Sequence, residues 1–221
     1  MQSIEKANLP ALFEALRDVF TAQREALIAL DGKVGDSDLG ITMNKAFIAA
    51  FESVRNNASD PISKTLQLAG MAVAKAAPST MGTLVATGLM RGGKALEGAQ
   101  AWGTAEMSAF WAAFFKGVAE RGKAQLGDKT LLDVLSPIAV SLESSSANGI
   151  ALVLALQHAA QAARDGLEAT KAMQAQHGKA ACFQEKTIGL QDAGATVGVL
   201  IIETLHAYVV QSGADPARSA A

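Results

Sequence analysis

Apolar residues recur at helical spacing along nearly the whole chain. Leu9, Leu12, Phe13, Leu16, Val19, Phe20 and Leu27 trace one face of a first helix. Ile41, Phe47, Ile48, Phe51 and Val54 trace a second, stopped before Asn56 and Asn57. Asp60-Pro61 reads as an N-cap followed by proline at the first helical position, opening a third. A fourth is predicted from about Gly82. Thr104 is the expected cap of a fifth, whose Met107, Phe110, Trp111, Phe114, Phe115 and Val118 belong to a core. A sixth begins near Thr130. The polar break Ser144-Ser-Ser-Ala-Asn148-Gly149 precedes a seventh through Leu152, Leu156 and Ala159, and an eighth covers about Ala195 to Val210. No strand pair with a two-residue hairpin turn is evident. The expectation is an all-α fold, an eight-helix antiparallel bundle or barrel.

Composition narrows the class. The chain has 221 residues, half of them hydrophobic, and a net charge of −2, so it offers no basic footprint for nucleic acid. The single cysteine, Cys182, excludes an internal disulfide framework and has no evident activating partner. The first residues lack a secretory pattern, and no uncharged apolar run reaches the roughly 18 residues needed to span a bilayer. The expectation is a cytoplasmic protein with no membrane partner, one domain over residues 1–211 and a loose tail over 212–221.

The candidate chemistry lies in Asp31-Gly-Lys-Val-Gly35-Asp36-Ser-Asp38-Leu-Gly40, which packs three aspartates into one glycine-rich turn. Carboxylates held this close repel unless a cation sits between them. Carboxylate oxygens completed by waters and phosphate oxygens suit Mg²⁺. The turn is not an EF-hand, because position 12 counted from Asp36 is Phe47. Gly35 and Gly40 have the backbone freedom to let a phosphate approach. Helix capping is the bland alternative.

Three more polar, glycine-bearing segments follow: Ala77–Gly82, Gly127–Asp133 and Gly189–Gly194. In an up-down bundle alternate loops share an end. These segments follow helices three, five and seven, and the aspartate turn follows helix one, so all four fall on one rim. Ser79 and Thr80 open a helix whose N-terminal amides suit an anion, with an ordinary N-cap as the alternative. Gly122-Lys-Ala-Gln-Leu-Gly127-Asp-Lys-Thr130 is not a P-loop, since Asp128 intrudes and no strand precedes it. Lys129 and Asp133 read as a solvated pair. Lys179 and Lys186 are candidates to offset phosphate charge. His158, His177 and His206 show no metal-ligand spacing.

Four ordered motifs carry a resemblance: Val34–Met43, Ser79–Leu84, Gly127–Asp133 and Ile188–Ala195. Together they are similar to the L-subunit family of dihydroxyacetone kinases, equivalently the nucleotide-binding C-terminal domain of single-chain dihydroxyacetone kinases. The resemblance implies an eight-helix barrel with ADP or ATP at one end. It implies two Mg²⁺ ions held by Asp31, Asp36 and Asp38. It assigns phosphate contacts to Leu39, Gly40, Ile41, Thr42, Thr80 and Met81, and proximity to adenine to Gly122 and Leu131. Lys179 and the turn Asp192, Ala193, Gly194 complete the implied nucleotide site.

The implied activity is that of a glycerone kinase-like phosphotransferase with an alcohol acceptor, on a triose or tetrose keto-sugar. The sugar is held by a separate K-type subunit, and in one branch of the family a phosphocarrier protein of the phosphotransferase system recharges a bound ADP. No catalytic base is named. A non-catalytic nucleotide-binding regulator is the alternative. Three positions depart from the family pattern: Leu39 replaces a frequent histidine, Pro78-Ser-Thr-Met-Gly82 has one hydroxyl fewer, and Lys179 stands where arginine is common. Lysine keeps the charge without the bidentate fork.

Overall fold

The apolar faces read from the sequence meet one another in the computed structural model, which describes residues 2–214. Its α-helices are α1 (Leu9–Ala22), α2 (Arg24–Asp31), α3 (Leu39–Asn56), α4 (Ile62–Ala76), α5 (Thr80–Ala95), α6 (Thr104–Gly122), α7 (Leu132–Ala147), α8 (Leu152–Ala169) and α9 (Ala193–Ala214). Two-residue strands, β1 (Ile4–Glu5) and β2 (Ala101–Trp102), pair antiparallel with Ile4 opposite Trp102. The class is all-α, as expected.

Each long helix packs on the next, from α1 on α3 round to α8 on α9, and α9 packs back on α1. Most links are too short to do anything but reverse the chain, so neighbouring helices run antiparallel. The links α2–α3, α4–α5, α6–α7 and α8–α9 therefore share one end. The last is the longest and carries 3-10 turns at Thr170–Ala172 and Lys179–Thr187.

The interior shows why the sequence alternates helices of different bulk. α6 contributes Phe110, Trp111 and Phe114, all at most 3% exposed. α5 meets them with glycine. A Cβ on Gly88 would stand 2.4 Å from the Phe114 ring, and one on Gly92 would stand 2.5 Å from the Phe110 ring. Phe20 of α1 stacks on Phe47 of α3 with centroids 4.0 Å apart. Backbone thinness on α5 thus lets an aromatic helix close against it.

Several boundaries differ from expectation. The first helix breaks at Gln23, after which α2 buries only Leu27. The stripe that ends at Phe20 does not continue on one face. Pro61 is itself the residue before α4, with no side-chain cap from Asp60. Thr104 is the first residue of α6 rather than its cap. Glu106 instead accepts the Gly103 N–H, and the Thr104 hydroxyl donates to Ile150 O. α5 begins at Thr80, with the Ser79 hydroxyl accepting the Gly82 N–H. α9 runs through Ala214, and the rest of the predicted tail lies outside the described residues.

α9 is long and apolar enough to cross a membrane by length and composition. It also carries Glu203, ion-paired to Arg164 of α8 at 2.7 Å, and buries Val197, Ile202 and Val209.

Gly88→Ala tests the α5–α6 contact. Helix propensity favours alanine by about 1 kcal/mol, but overpacking against a ring costs about 1–3 kcal/mol. A net loss in urea denaturation is expected, partly restored by adding Phe114→Leu. Equal or greater stability in Gly88→Ala alone would mean that α6 is not held by this contact.

Candidate functional site

The aspartate turn is built by the end of one helix capping the start of the next. Asp31, the last residue of α2, turns its Oδ2 to the backbone N–H groups of Asp38 at 3.0 Å and Leu39 at 3.3 Å. Asp31 therefore acts as a cap through Oδ2. Asp38 precedes α3 without a side-chain cap bond. Ser37, at φ 62°, supplies the left-handed residue between Asp36 and Asp38.

Glycine acts here through close approach. A Cβ on Gly35 would stand 2.2 Å from Asp31 Oδ1, and one on Gly40 would stand 2.1 Å from the Arg24 carbonyl. Neither residue has positive φ. The expectation of special backbone angles gives way to a need for space, because α3 begins hard against α2.

Carboxylate oxygens of Asp31, Asp36 and Asp38 lie within 4.8 Å of one another. Their electrostatics are uneven. Loss of water, then the charges of Asp36 and Asp31, raise the Asp38 carboxyl above its usual range. Asp36 is held below it by a hydrogen bond from Lys179, and Lys179 is raised by the same bond. An ammonium thus sits where the negative charge is densest. This contact joins the first rim segment to the last, across 143 residues of sequence.

Further contacts gather the other segments. A Cβ on Gly194 would stand 2.7 Å from Met81 Cε and 3.9 Å from Leu131 N, so the α5 start, the α6–α7 loop and the α9 start meet there. The Gln176 N–H donates to Asp128 O, and His177 Nε2 lies 2.9 Å from Asp128 Oδ2. Leu39, Gly40 and Thr42 are buried in the first turns of α3, while Ile41 is exposed. Thr80 and Met81 form the first turn of α5, whose leading amides, like those of α3, have no partner within the helix. Gly122 ends α6 beside the Leu84 side chain, and no described contact brings it to the aspartates. Lys186 is exposed on the same segment as Lys179.

The solvated pair expected at Lys129 and Asp133 does not exist. Asp133 is 7% exposed and accepts N–H bonds from Gly127 at 2.6 Å and Thr130 at 2.7 Å. Lys129 is 3% exposed and donates to Thr170 O and Leu190 O, both at 2.6 Å. Helical spacing suggests a surface pair, but α7 begins only at Leu132 and the loop before it folds inward. The sequence signal is Gly127, which at φ 91° permits such a fold. Asp192, in sequence no more than part of a turn, caps α9 by accepting the Ala195 N–H at 2.6 Å. Burial pushes its carboxyl up to about 6, against the pull of that bond and of Lys129.

Residues 33–207 match the family model described as the DAK2 domain. The chain is 33% identical over 188 residues to the PEP-dependent dihydroxyacetone kinase, ADP-binding subunit DhaL, of Escherichia coli, covering 85% of this chain and 90% of that protein. It is 31% identical over 201 residues to the L-erythrulose kinase of Pectobacterium atrosepticum, covering 90% of this chain but 34% of that longer protein. The crystal structure of dihydroxyacetone kinase from C. freundii, in complex with AMP-PNP and Mg²⁺, superposes with a TM-score of 0.71 at 24% identity, over 94% of this chain and 35% of that one. That likeness is one of fold.

A carboxyl raised in the fold favours the folded state while protonated. Asp192 therefore contributes stability in full below its unfolded value near 3.8, and loses it as pH rises through about 6. Asn keeps the N-cap acceptor without the charge. Asp192→Asn should gain stability relative to wild type as pH rises across that window in urea titrations. A difference that does not change with pH would contradict the assigned shift.

Proposed function

The chain belongs to the DAK2 domain family, and on that premise we propose that it is the nucleotide-binding, phosphoryl-transfer subunit of a keto-sugar kinase that works with a separate sugar-binding subunit. The observation that carries the reading is the set of three carboxylates within 4.8 Å, answered by Lys179, on the rim where α3 and α5 begin. The donor set fits Mg²⁺: all-oxygen, with two members exposed and mutual repulsion that a dication relieves.

On this reading Asp31, Asp36 and Asp38 hold two Mg²⁺ ions, and ADP or ATP is the nucleotide. Bound Mg²⁺ supplies charge neutralisation across the phosphates during transfer. The chain's own part is positioning. The first turn of α3, Leu39 to Thr42, and Thr80 and Met81 of α5 lie against the phosphates, and the amides of Gly40, Ile41, Thr80 and Met81 orient their oxygens at two helix N-termini. Lys179 adds a point charge to the same phosphates. Gly122, Leu131 and the turn Asp192 to Gly194 hold the nucleoside end. The acceptor hydroxyl comes from a K-type partner that covers this rim.

The chain is matched along most of the ADP-binding subunit of a PEP-dependent kinase. We therefore favour an ADP held as a coenzyme and rephosphorylated by a phosphocarrier protein, over exchange of ATP as a substrate. A cytoplasmic location follows from that role.

Asp36→Ala should abolish Mg²⁺-dependent ADP binding and leave helical circular dichroism unchanged, because Asp36 is exposed in a loop. In wild type, ADP with Mg²⁺ at about 100 times its dissociation constant should add about 2.7 kcal/mol of stability. No metal-dependent shift in the melt of nucleotide-free protein would remove the reading.

The isolated chain should not phosphorylate dihydroxyacetone or erythrulose efficiently. Product should appear when a K-type subunit is added with a phosphorylated carrier, and free ATP in its place should support little turnover. Robust turnover by the chain alone would show that it has its own sugar site.

A further inference from the structure

We propose that Lys129 is a positioning residue of the nucleotide site: its buried ammonium braces the turn carrying Leu131 against the turn carrying Asp192 to Gly194, and so fixes the relative placement of the two turns assigned above to the nucleoside end. The inference rests on the nucleotide reading above and adds to it a residue that touches no ligand.

Three observations carry it. The first is where the bonds go. Lys129 Nζ donates to Thr170 O at the end of α8 and to Leu190 O just before the Asp192 turn, both at 2.6 Å. Thr170 is fully buried, and its Oγ1 in turn accepts the Asp192 N–H at 3.1 Å. One ammonium thus fixes the Asp192 turn at Leu190 directly and at Asp192 through Thr170.

The second is what holds the other end. Lys129 sits at φ 59°, between Gly127 and Thr130, whose N–H groups are both taken by Asp133. The loop is pinned to the start of α7 on one side and to the α8–α9 segment on the other. Leu131, two residues on, comes within 3.9 Å of the position a Gly194 Cβ would take. Leu131 Cδ1 also packs close to Gly198 of α9, and Lys129 adds the polar contact that fixes the turn before α9.

The third is the chemistry chosen. Burial lowers the Lys129 pKa, and the nearby Asp192 charge opposes that shift. A charge kept out of water at such cost is a poor device for stability alone, since an apolar side chain of like shape often does as well. Three donors on one nitrogen, however, join separate backbone segments at fixed distance.

The test compares wild type with Lys129→Met, which keeps the shape and removes the donors, and Lys129→Arg, which keeps charge and donors. MgADP affinity is measured by calorimetry, and Mn²⁺ binding without nucleotide by electron paramagnetic resonance. Lys129→Met should bind MgADP about tenfold more weakly or worse, in the range typical of residues that orient direct ligands. Mn²⁺ binding at the aspartates should be unchanged, and Lys129→Arg should recover part of the loss. A merely structural lysine would lower the melting temperature and leave both affinities of the folded protein alone. Unchanged MgADP affinity in folded Lys129→Met overturns the proposal. If that variant does not fold, Lys129→Gln, uncharged and one bond too short to span both carbonyls, takes its place: weakened MgADP binding supports the proposal and unchanged binding overturns it. Wild type that fails to bind MgADP at all overturns the nucleotide reading itself, and this inference with it.

Discussion

The Asp31 carboxylate ties the end of α2 to the start of α3, and the candidate site depends on that bond. By accepting the Asp38 and Leu39 N–H groups, it folds the intervening loop back on itself. Asp36 and Asp38 are then forced to the same side as Asp31. Capping and the gathering of charge are one act here, because the carboxylate that satisfies the helix start also creates the crowd of charge. Without the cap, Asp36 and Asp38 would belong to a loop with no reason to gather. With it, their repulsion is locked in, and Lys179 or a metal is needed to relieve it.

The same economy of space governs the rest of the rim. Gly35, Gly40 and Gly194 each stand where a single Cβ would strike Asp31, Arg24 or Met81. Close approach there brings helix starts and turns against one another with no side chain between. The missing side chains at the rim, and the aromatic-against-glycine packing of α5 and α6 beneath it, are two uses of one resource. In the core thinness admits rings, and at the rim it lets helix ends and turns close on one another.

Most of this is legible in the sequence. The apolar stripes locate the helices because burial imposes a 3.6-residue period wherever one face meets a core. Loop parity places four segments on one end because short links leave an antiparallel chain no alternative. What is not legible has a common cause. Lys129, Asp133 and Asp192 are charged residues whose partners are backbone groups, several of them distant in sequence. Charge predicts exposure on average, and spacing rules address only neighbours on one helix. Thr170 and Leu190 are invisible to such rules as acceptors for Lys129. The break at Gln23 escapes notice for a related reason. The stripe from Leu9 to Phe20 is long enough to invite extension to Leu27, although the intervening turn buries nothing.

The two rim lysines illustrate how one residue type is given opposite duties by its surroundings. Lys179 is exposed and meets a carboxylate, so its charge is favoured and its stem is free to swing. Lys129 is enclosed and meets carbonyls, so its charge is penalised and its position is fixed. The first can trade one anionic partner for another at small cost, because water screens both states. The second cannot, since an enclosed ammonium that lost the Thr170 and Leu190 carbonyls would keep its charge with no partner to answer it. On the proposed nucleotide reading, a site that admits and orients a polyanion uses both behaviours, mobile compensation for the phosphates and rigid spacing for the nucleoside. The chain divides them between loops that enter the rim from α6 and from α8, and Asp128 and His177 join those loops at 2.9 Å.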